Sequence, residues 1–353
     1  MSLATQAVAP DVSVLVPAKD EAENLPEFVR QAREVFLPLP YACEVVIVND
    51  GSLDGTGQVL RDLAAAHAFV RVVTHRAQRG IADALRSGAE AARARVLVFY
   101  PADLQYLPAD IPGLVAPILA GEADIVTGAK QGRYDRRFVS WVYNGLCRWL
   151  FGINVTDLNS VKAYRREVMD VVPTRPDWHR FMVVIAAAQG FRLAERSIPL
   201  YPRHAGKSKF GIGRIPVGVL DLLSVWFQLR FGRKPMLFFG VAGAALFLLG
   251  FLVGLVALWL RFGPAHVGFR PLLDLIMILV ISGIALFGFG FVGEMVAGMR
   301  EEVRSLREEL RGVQHEVDQR HDRGPAVIPS PDAGAPLQQA RPSPPPTRPV
   351  HRE

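Results

Sequence analysis

Cysteine is almost absent from this sequence: among 353 residues only Cys43 and Cys147 occur. That excludes a disulfide-stapled scaffold and a cysteine-built zinc site, and it fits a reducing compartment. Met1 to Asp11 lacks a charged start and an apolar stretch, so no secretory signal is expected. No segment repeats another. Strong charge of one sign is missing too. Lys plus Arg number 40 against 34 Asp plus Glu. This modest excess suits anionic lipid and phosphate groups, and no nucleic-acid partner is expected.

Charge of either sign is missing altogether from Met236 to Leu260, a run long enough to cross a hydrocarbon core of about 30 Å. A second run, Leu272 to Met299, is broken only by Asp274 near its start and Glu294 near its end. Both acids can sit at the interfaces, so the pair reads as a membrane hairpin closed by Arg261 to Pro271. Buried core helices are the plainer alternative, but such helices rarely run this long without polar relief. Arg230, Arg233 and Lys234 precede the first span, and Arg300, Arg304 and Arg307 follow the second. The loop holds only Arg261 and Arg270, so both ends are expected on the cytoplasmic side of the inner membrane.

What is present before the hairpin is strand and helix in alternation. Val12–Val16, Glu44–Val48, Val70–Thr74, Val96–Tyr100 and Asp124–Thr127 read as strands. Leu25–Val35, Gly57–Ala66 and Ile81–Ala92 read as helices between them, the last with Ile81, Leu85, Ala89 and Ala92 on one face. The fold class is therefore α/β, a mostly parallel sheet covered on both faces. From Arg133 to Phe231 longer helices and loops are expected, among them aromatic-rich helices over Phe138–Phe151 and Ile215–Phe231. Ligands of such sheets bind beyond the carboxyl ends of the strands.

The loops at those ends carry the candidate chemistry. After the first strand come Pro17-Ala18-Lys19-Asp20-Glu21, and after the second Asn49-Asp50-Gly51-Ser52-Leu53-Asp54-Gly55-Thr56. Carboxylates there can accept hydrogen bonds from ribose hydroxyls or a base N–H. Asp50 reads as a ligand and Asp54 as a helix cap. After the fourth strand, Asp103 and Gln105 are two apart, so in an extended loop both side chains can reach one hard cation. Two basic clusters follow: Lys130, Arg133, Arg136 and Arg137, then Arg203, Lys207 and Lys209 around Ser208. Each has a solvated surface as its plain alternative. A Walker-type nucleotide loop is excluded, because its first glycine would fall at Tyr201. Asp157 to Lys162 lies between the clusters.

Taken together these loops resemble glycosyltransferase family 2, and within it the polyprenyl-phosphate or dolichyl-phosphate sugar synthases. Pro17–Glu21 with Asn24 resembles the family's Pro-x-x-Asn-Glu opening, and Asn49–Ser52 its Asp-Asp-Gly-Ser nucleoside loop. Arg79-Gly80 with Ala84 and Gly88 resembles the next helix entry. Asp157–Lys162 is similar to the acceptor-side acidic loop, and Arg203–Lys209 to an Arg-x-x-Gly-x-Ser-Lys segment. Asp20 replaces the usual Asn, and Asn49 the usual first Asp. The family's Asp-x-Asp-x-Gln metal loop is here Pro101-x-Asp103-x-Gln105, one carboxylate short.

The resemblance implies a GT-A fold and an inverting transfer from a nucleotide-sugar donor to a polyprenyl phosphate, with Mg²⁺ or Mn²⁺ on Asp103 and Gln105. It implies donor contacts from Pro17, Glu21, Asp50, Gly80, Asp103 and Gln105. Phosphate contacts fall to Arg133, Arg137, Arg203, Ser208 and Lys209, and the catalytic set to Asp103, Asp157, Arg133 and Arg203. The expected layout is a tail over 1–11, the GT-A domain over 12–212 and an interfacial amphipathic helix over 213–235. The membrane hairpin covers 236–299 (spans 236–260 and 272–296), a cytoplasmic helix or coiled coil 300–320, and a disordered tail 321–353. Val303, Leu306, Leu310, Val313 and Val317 form an a/d-like seam, so either self-association through 303–317 or a plain helix extension is open. Two other readings remain. A processive polysaccharide synthase would carry Gln-x-x-Arg-Trp, whereas Gln228-Leu229-Arg230-Phe231 has the wrong spacing. A catalytically silent lipid-phosphate-binding scaffold is supported by the missing carboxylate.

Overall fold

A computed structural model describes residues 9–131, 145–153, 155–158, 160–172, 178–202, 215–263 and 270–322. The chain divides into two compact units, Met1–Phe238 and Phe239–Glu353.

The first unit is built on seven strands: β1 (Val12–Ala18), β2 (Cys43–Asn49), β3 (Val70–Thr74), β4 (Val96–Phe99), β5 (Ile125–Gln131), β6 (Lys162–Arg165) and β7 (Leu193–Pro199). Their order across the sheet is β3-β2-β1-β4-β6-β5-β7. β1 pairs in parallel with β2 and β4, β2 with β3, and β5 with β7; β6 runs antiparallel between β4 and β5. The strand order reverses between β1 and β4, which is where an open α/β sheet leaves a crevice for ligand.

Both faces of the sheet are covered, as the near-continuous apolar runs of β1 and β2 require. Val12, Val14 and Val16 pack on one side with Leu25, Phe28 and Val29 of α1 (Leu25–Phe36), Leu60 of α2 (Thr56–Ala66), and Leu114 of α4 (Ile111–Leu119). Leu15, Val46 and Leu97 face the opposite layer, against Leu85 of α3 (Ile81–Ala91) and Cys147 of α5, described over 145–151. The same layer takes Val168 of α6 (Glu167–Val171), Val184 of α7 (Met182–Ala188), and Leu222 and Val225 of α8 (Ile215–Phe231). Arg166 closes the carboxyl end of α3, donating to the carbonyls of Ala89, Ala92 and Ala94 at 2.7 to 3.0 Å.

Every strand and helix expected before residue 130 is present, with ends moved by at most four residues. Beyond it, helices and loops alone were expected, and β6 and β7 correct that. β6 (Lys-Ala-Tyr-Arg) has charged ends, and β7 is an edge strand with two charged residues, Glu195 and Arg196, so neither shows a strand's apolar alternation. Within Phe138–Phe151 only 145–151 is described, and it is helical. The tails over 1–8 and 323–353 lie outside the described residues.

The second unit contains most of α9 (Pro235–Phe262) and all of α10 (Arg270–Asp322). Both are long and apolar enough to cross a membrane, and most of their apolar side chains face outward. The core helix of a soluble domain would bury them instead. The two helices touch through glycine: a Cβ on Gly243 would lie 2.6 Å from the Gly283 carbonyl oxygen. α10 runs unbroken through 303–317.

Candidate active site

Three loops beyond the carboxyl ends of β1, β2 and β3 lock together. Asp20 holds a positive φ of 54°, which brings its carboxylate to the Leu53 N–H (2.8 Å) while its own N–H donates to Ser52 Oγ (3.0 Å). The left-handed region is open to Asp at low cost, because its short polar side chain bonds locally. Glu21 N–H donates to Thr56 Oγ1 (2.9 Å), and the Glu21 carboxylate takes the Asn24 amide (2.6 Å). Lys19 Nζ reaches the Gly51 carbonyl. Asp54, expected as a helix cap, lies one residue before the N-cap of α2, Gly55, and accepts from Thr56 N–H (2.9 Å). Burial raises the Asp54 carboxyl, but the Thr56 hydroxyl and N–H outweigh it and hold the group below its usual value.

Asp50 joins the second loop to the third. It is buried, and its carboxylate accepts from Arg79 N–H and Gly80 N–H, both at 2.8 Å, and meets His75 Nδ1 at 2.8 Å. Gly80 is the N-cap of α3 at a φ of 95°. Asp50 and Gly80 were assigned to the donor side from separate motifs, and they touch. Gly51, at φ 65°, lies so close to the third loop that a Cβ there would meet the Ala77 carbonyl carbon at 2.5 Å. No other residue type fits that turn.

The loop after β4 differs from expectation in shape. Leu104 has a φ of 55°, so Asp103-Leu104-Gln105 is a turn rather than an extended strand, with Asp103 Oδ1 accepting from Gln105 N–H at 3.2 Å. Buried Leu104 anchors this turn, while Asp103 and Gln105 remain partly exposed. The Gln105 carbonyl accepts from Tyr201 N–H at 3.0 Å, which ties the loop to the chain just before Arg203. No group of three His, Cys, Asp or Glu side chains converges among the described residues. Asp103 and Gln105 together supply one carboxylate and one amide oxygen, a donor set that suits a magnesium-type ion completed by substrate phosphates.

Asp157 is buried, with Oδ2 3.3 Å from Lys130 Nζ. Its backbone is held on both sides. Thr127 Oγ1 donates to its carbonyl (3.1 Å), and Glu195 Oε1 takes its N–H (3.2 Å) together with the N–H and hydroxyl of Thr156 (2.9 and 2.7 Å). Beneath lies Lys162, fully buried, donating to the Ser160 carbonyl at 2.7 Å and lying 6.0 Å from the Phe99 ring centre. Burial brings its amine down to about 7; Asp157 works against the shift, and Lys130 and Arg180 add to it. Burial likewise takes neighbouring His179 down to about 3, with Lys162 and Arg180 reinforcing it, so that ring is neutral at physiological pH.

The structure thus gathers Pro17, Glu21, Asp50, Gly80, Asp103, Gln105 and Asp157 along the carboxyl edge. Arg133, Arg137, Arg203, Ser208 and Lys209 lie outside the described residues. His75, Ser87, Glu195 and Lys162 were not singled out as site residues in the sequence. His75 follows β3 directly, so the rule that pointed to residues after strands reaches it. Glu195 sits mid-strand and gave no signal.

Comparison with known proteins agrees with this geometry. Residues 13–169 match the model of the family described as glycosyl transferase family 2. The chain is 30% identical to the dodecaprenyl-phosphate galacturonate synthase of Rhizobium johnstonii, over 81% of this chain and 88% of that protein. It is 29% identical to the undecaprenyl-phosphate 4-deoxy-4-formamido-L-arabinose transferase of Pseudomonas fluorescens, over 83% of this chain and 86% of the relative. Among solved structures, it is similar to glucosyl-3-phosphoglycerate synthase from Mycobacterium tuberculosis, in complex with Mn²⁺, UDP and glucosyl-3-phosphoglycerate. The TM-score is 0.51 at 19% identity, covering 62% of this chain and 80% of that one.

Proposed function

The chain belongs to glycosyltransferase family 2, and from that premise we propose that it moves a sugar from a nucleotide donor to the phosphate of a polyprenyl-phosphate lipid. One observation carries this reading. Similarity to two polyprenyl-phosphate sugar transferases covers more residues than the first unit contains, so it includes membrane helices as well as the catalytic sheet.

The chemistry follows from charge. A lipid monophosphate with a second pKa near 6 is mostly a dianion at neutral pH, so it attacks the anomeric carbon without a strong base. The bond to the nucleotide diphosphate breaks on the opposite face, and the configuration inverts. What the protein must do is hold two anionic groups in line and stabilise the charge that moves between them. The interlocked loops around Glu21, Asp50 and Gly80 hold the nucleoside. Asp103 and Gln105 would hold Mg²⁺ or Mn²⁺, which supplies neutralisation of the leaving diphosphate. Asp157 fixes Lys130 toward the acceptor phosphate, with Arg133, Arg137, Arg203, Ser208 and Lys209 as its further contacts.

The lipid acceptor demands a membrane-facing site. α8 has apolar side chains on two sides: Leu222 and Val225 bury against the second core layer, while Val217, Leu220 and Leu223 face outward at 50%, 66% and 46% exposure. These outward apolar side chains are what we read as the face that meets the membrane. Basic residues at both ends of the hairpin support an orientation with the catalytic unit and the carboxyl terminus on the cytoplasmic side of the inner membrane. Val303, Leu306, Leu310 and Val313 are exposed on α10 and offer a seam for a second copy. An unchanged sedimentation profile after deleting 303–319 would argue against that pairing.

The deciding assay presents a panel of radiolabelled nucleotide sugars and undecaprenyl phosphate to the wild type and to Asp103→Ala, with Mg²⁺, Mn²⁺ or EDTA. The expected result is a lipid-extractable product, lost with EDTA and in the variant. Absence of product with every donor and both metals would overturn the reading.

A further inference from the structure

His75, Asp50 and Ser87 form a continuous network from three elements. His75 Nδ1 meets Asp50 Oδ1 at 2.8 Å and His75 Nε2 meets Ser87 Oγ at 3.0 Å. His75 continues the sheet beyond β3, its N–H donating to the Asn49 carbonyl at 2.9 Å, and its side chain is only 5% exposed. In a hydrolase such a constellation activates the serine. Here Asp50 is also committed to the Arg79 and Gly80 N–H groups, and Ser87 lies within α3. The network therefore transmits position.

We infer that His75 and Ser87 are positioning residues of the nucleotide pocket, fixing the Asp50 carboxylate so that it holds the Arg79–Gly80 turn in shape for the donor. The inference rests on the donor-pocket reading above. A buried carboxylate is tolerated only when its lone pairs are met. Oδ1 takes two partners, His75 and Arg79, whereas Oδ2 takes one among the described residues, Gly80. A carboxylate oxygen has a second lone pair, so Oδ2 keeps an acceptor for a base N–H or a ribose hydroxyl.

Without the ring, Asp50 can rotate about its side-chain torsions and the turn loses its anchor. Gly51 packing directly on Ala77 makes the second and third loops move as one body, so the effect reaches the pocket wall. With the proton on Nδ1, the ring donates to Asp50 and accepts from the Ser87 hydroxyl. The Nδ1 side does the anchoring, and Ser87 orients the ring from the Nε2 side. An asparagine places its amide nitrogen where Nδ1 was, whereas a glutamine places it nearer Nε2.

The test is titration calorimetry of UDP and GDP, with Mg²⁺, into the full-length protein in nanodiscs. His75→Ala is expected to weaken the tighter nucleotide about tenfold, as loss of a hydrogen bond to a charged group does. His75→Asn should recover most of that loss and His75→Gln little, and Ser87→Ala should cost about threefold. In turnover, the donor KM should rise with the acceptor KM unchanged. Nucleotide binding by His75→Ala equal to wild type, or equal losses in the Asn and Gln variants, would overturn the inference in favour of plain packing. If the wild type binds neither nucleotide, the donor-pocket reading itself fails and the inference falls with it. Should His75→Ala not fold, the Asn and Gln pair still separates the outcomes.

Discussion

Lys130 Nζ lies 3.3 Å from Oδ2 of Asp157, and the carboxylate is almost completely buried. A buried charge that loses a partner is costly, so these two residues are expected to act as a unit. Lys130→Met and Asp157→Asn are each expected to lower kcat/KM by about a hundredfold, and the double variant should be little worse than either alone. Losses that multiply in the double variant would show that the pair is not a functional unit.

Pro101 stands where the resembling family motif has its first metal carboxylate, so in the proposed cation site Asp103 and Gln105 would be the protein's share. Affinity for a hard cation rises with the number of charged ligands. Pro101→Asp should therefore lower the Mg²⁺ concentration for half-maximal activity by about tenfold, while Asp103→Asn should raise it or abolish activity. A metal titration curve unmoved by Pro101→Asp would mean that this loop does not carry the ion.

Lys162 is buried with its amine brought down to about 7 from an ordinary 10.5. Below pH 7 the folded chain carries the buried charge at full cost. Between the two values the folded state releases its proton while the unfolded chain keeps one, so this group's penalty fades as pH rises. Lys162→Met removes the penalty. The variant's gain in melting temperature over wild type should be largest near pH 6 and shrink by pH 9. A gain that is constant, or that grows with pH, would show that the lysine is not held against its charge.

The first five strands and three helices were legible because β1 and β2 are buried on both faces and must be apolar throughout, which leaves an uninterrupted Val and Ile signal. The antiparallel β6 was not legible. Its outer residues are Lys162 and Arg165, and only its register, Phe99 opposite Lys162, makes burial of a lysine side chain intelligible. The site shows the same division. Asp50, Asp103 and Asp157 follow apolar strands or sit in recognisable polar loops, so sequence alone proposes them. Glu195 acts through three bonds to residues nearly forty positions away, a relation that exists only once β5 and β7 are paired. The turn at Leu104 was hidden because a positive φ in a leucine has no sequence signature; the buried side chain holds it there.

Close contact between α9 and α10 depends on glycine. A Cβ on Gly243 would lie 2.6 Å from the Gly283 carbonyl oxygen and 2.7 Å from Phe287 nitrogen, and one on Gly283 would lie 2.7 Å from Phe247 nitrogen. These neighbours are backbone atoms, which cannot swing aside as a side chain can. In lipid, helices associate through such small-residue contacts because apolar burial offers no preference for protein over acyl chains. Gly243→Val and Gly283→Val should each destabilise the hairpin by about 1–3 kcal/mol, seen as a lower unfolding temperature of the purified protein in detergent. Gly254 supplies the control. A Cβ there meets only Ile276 Cγ2, at an ordinary 3.8 Å, so Gly254→Ala should stay within about 1 kcal/mol of wild type. Equal behaviour of the three variants would mean that the helices are not held by this backbone contact.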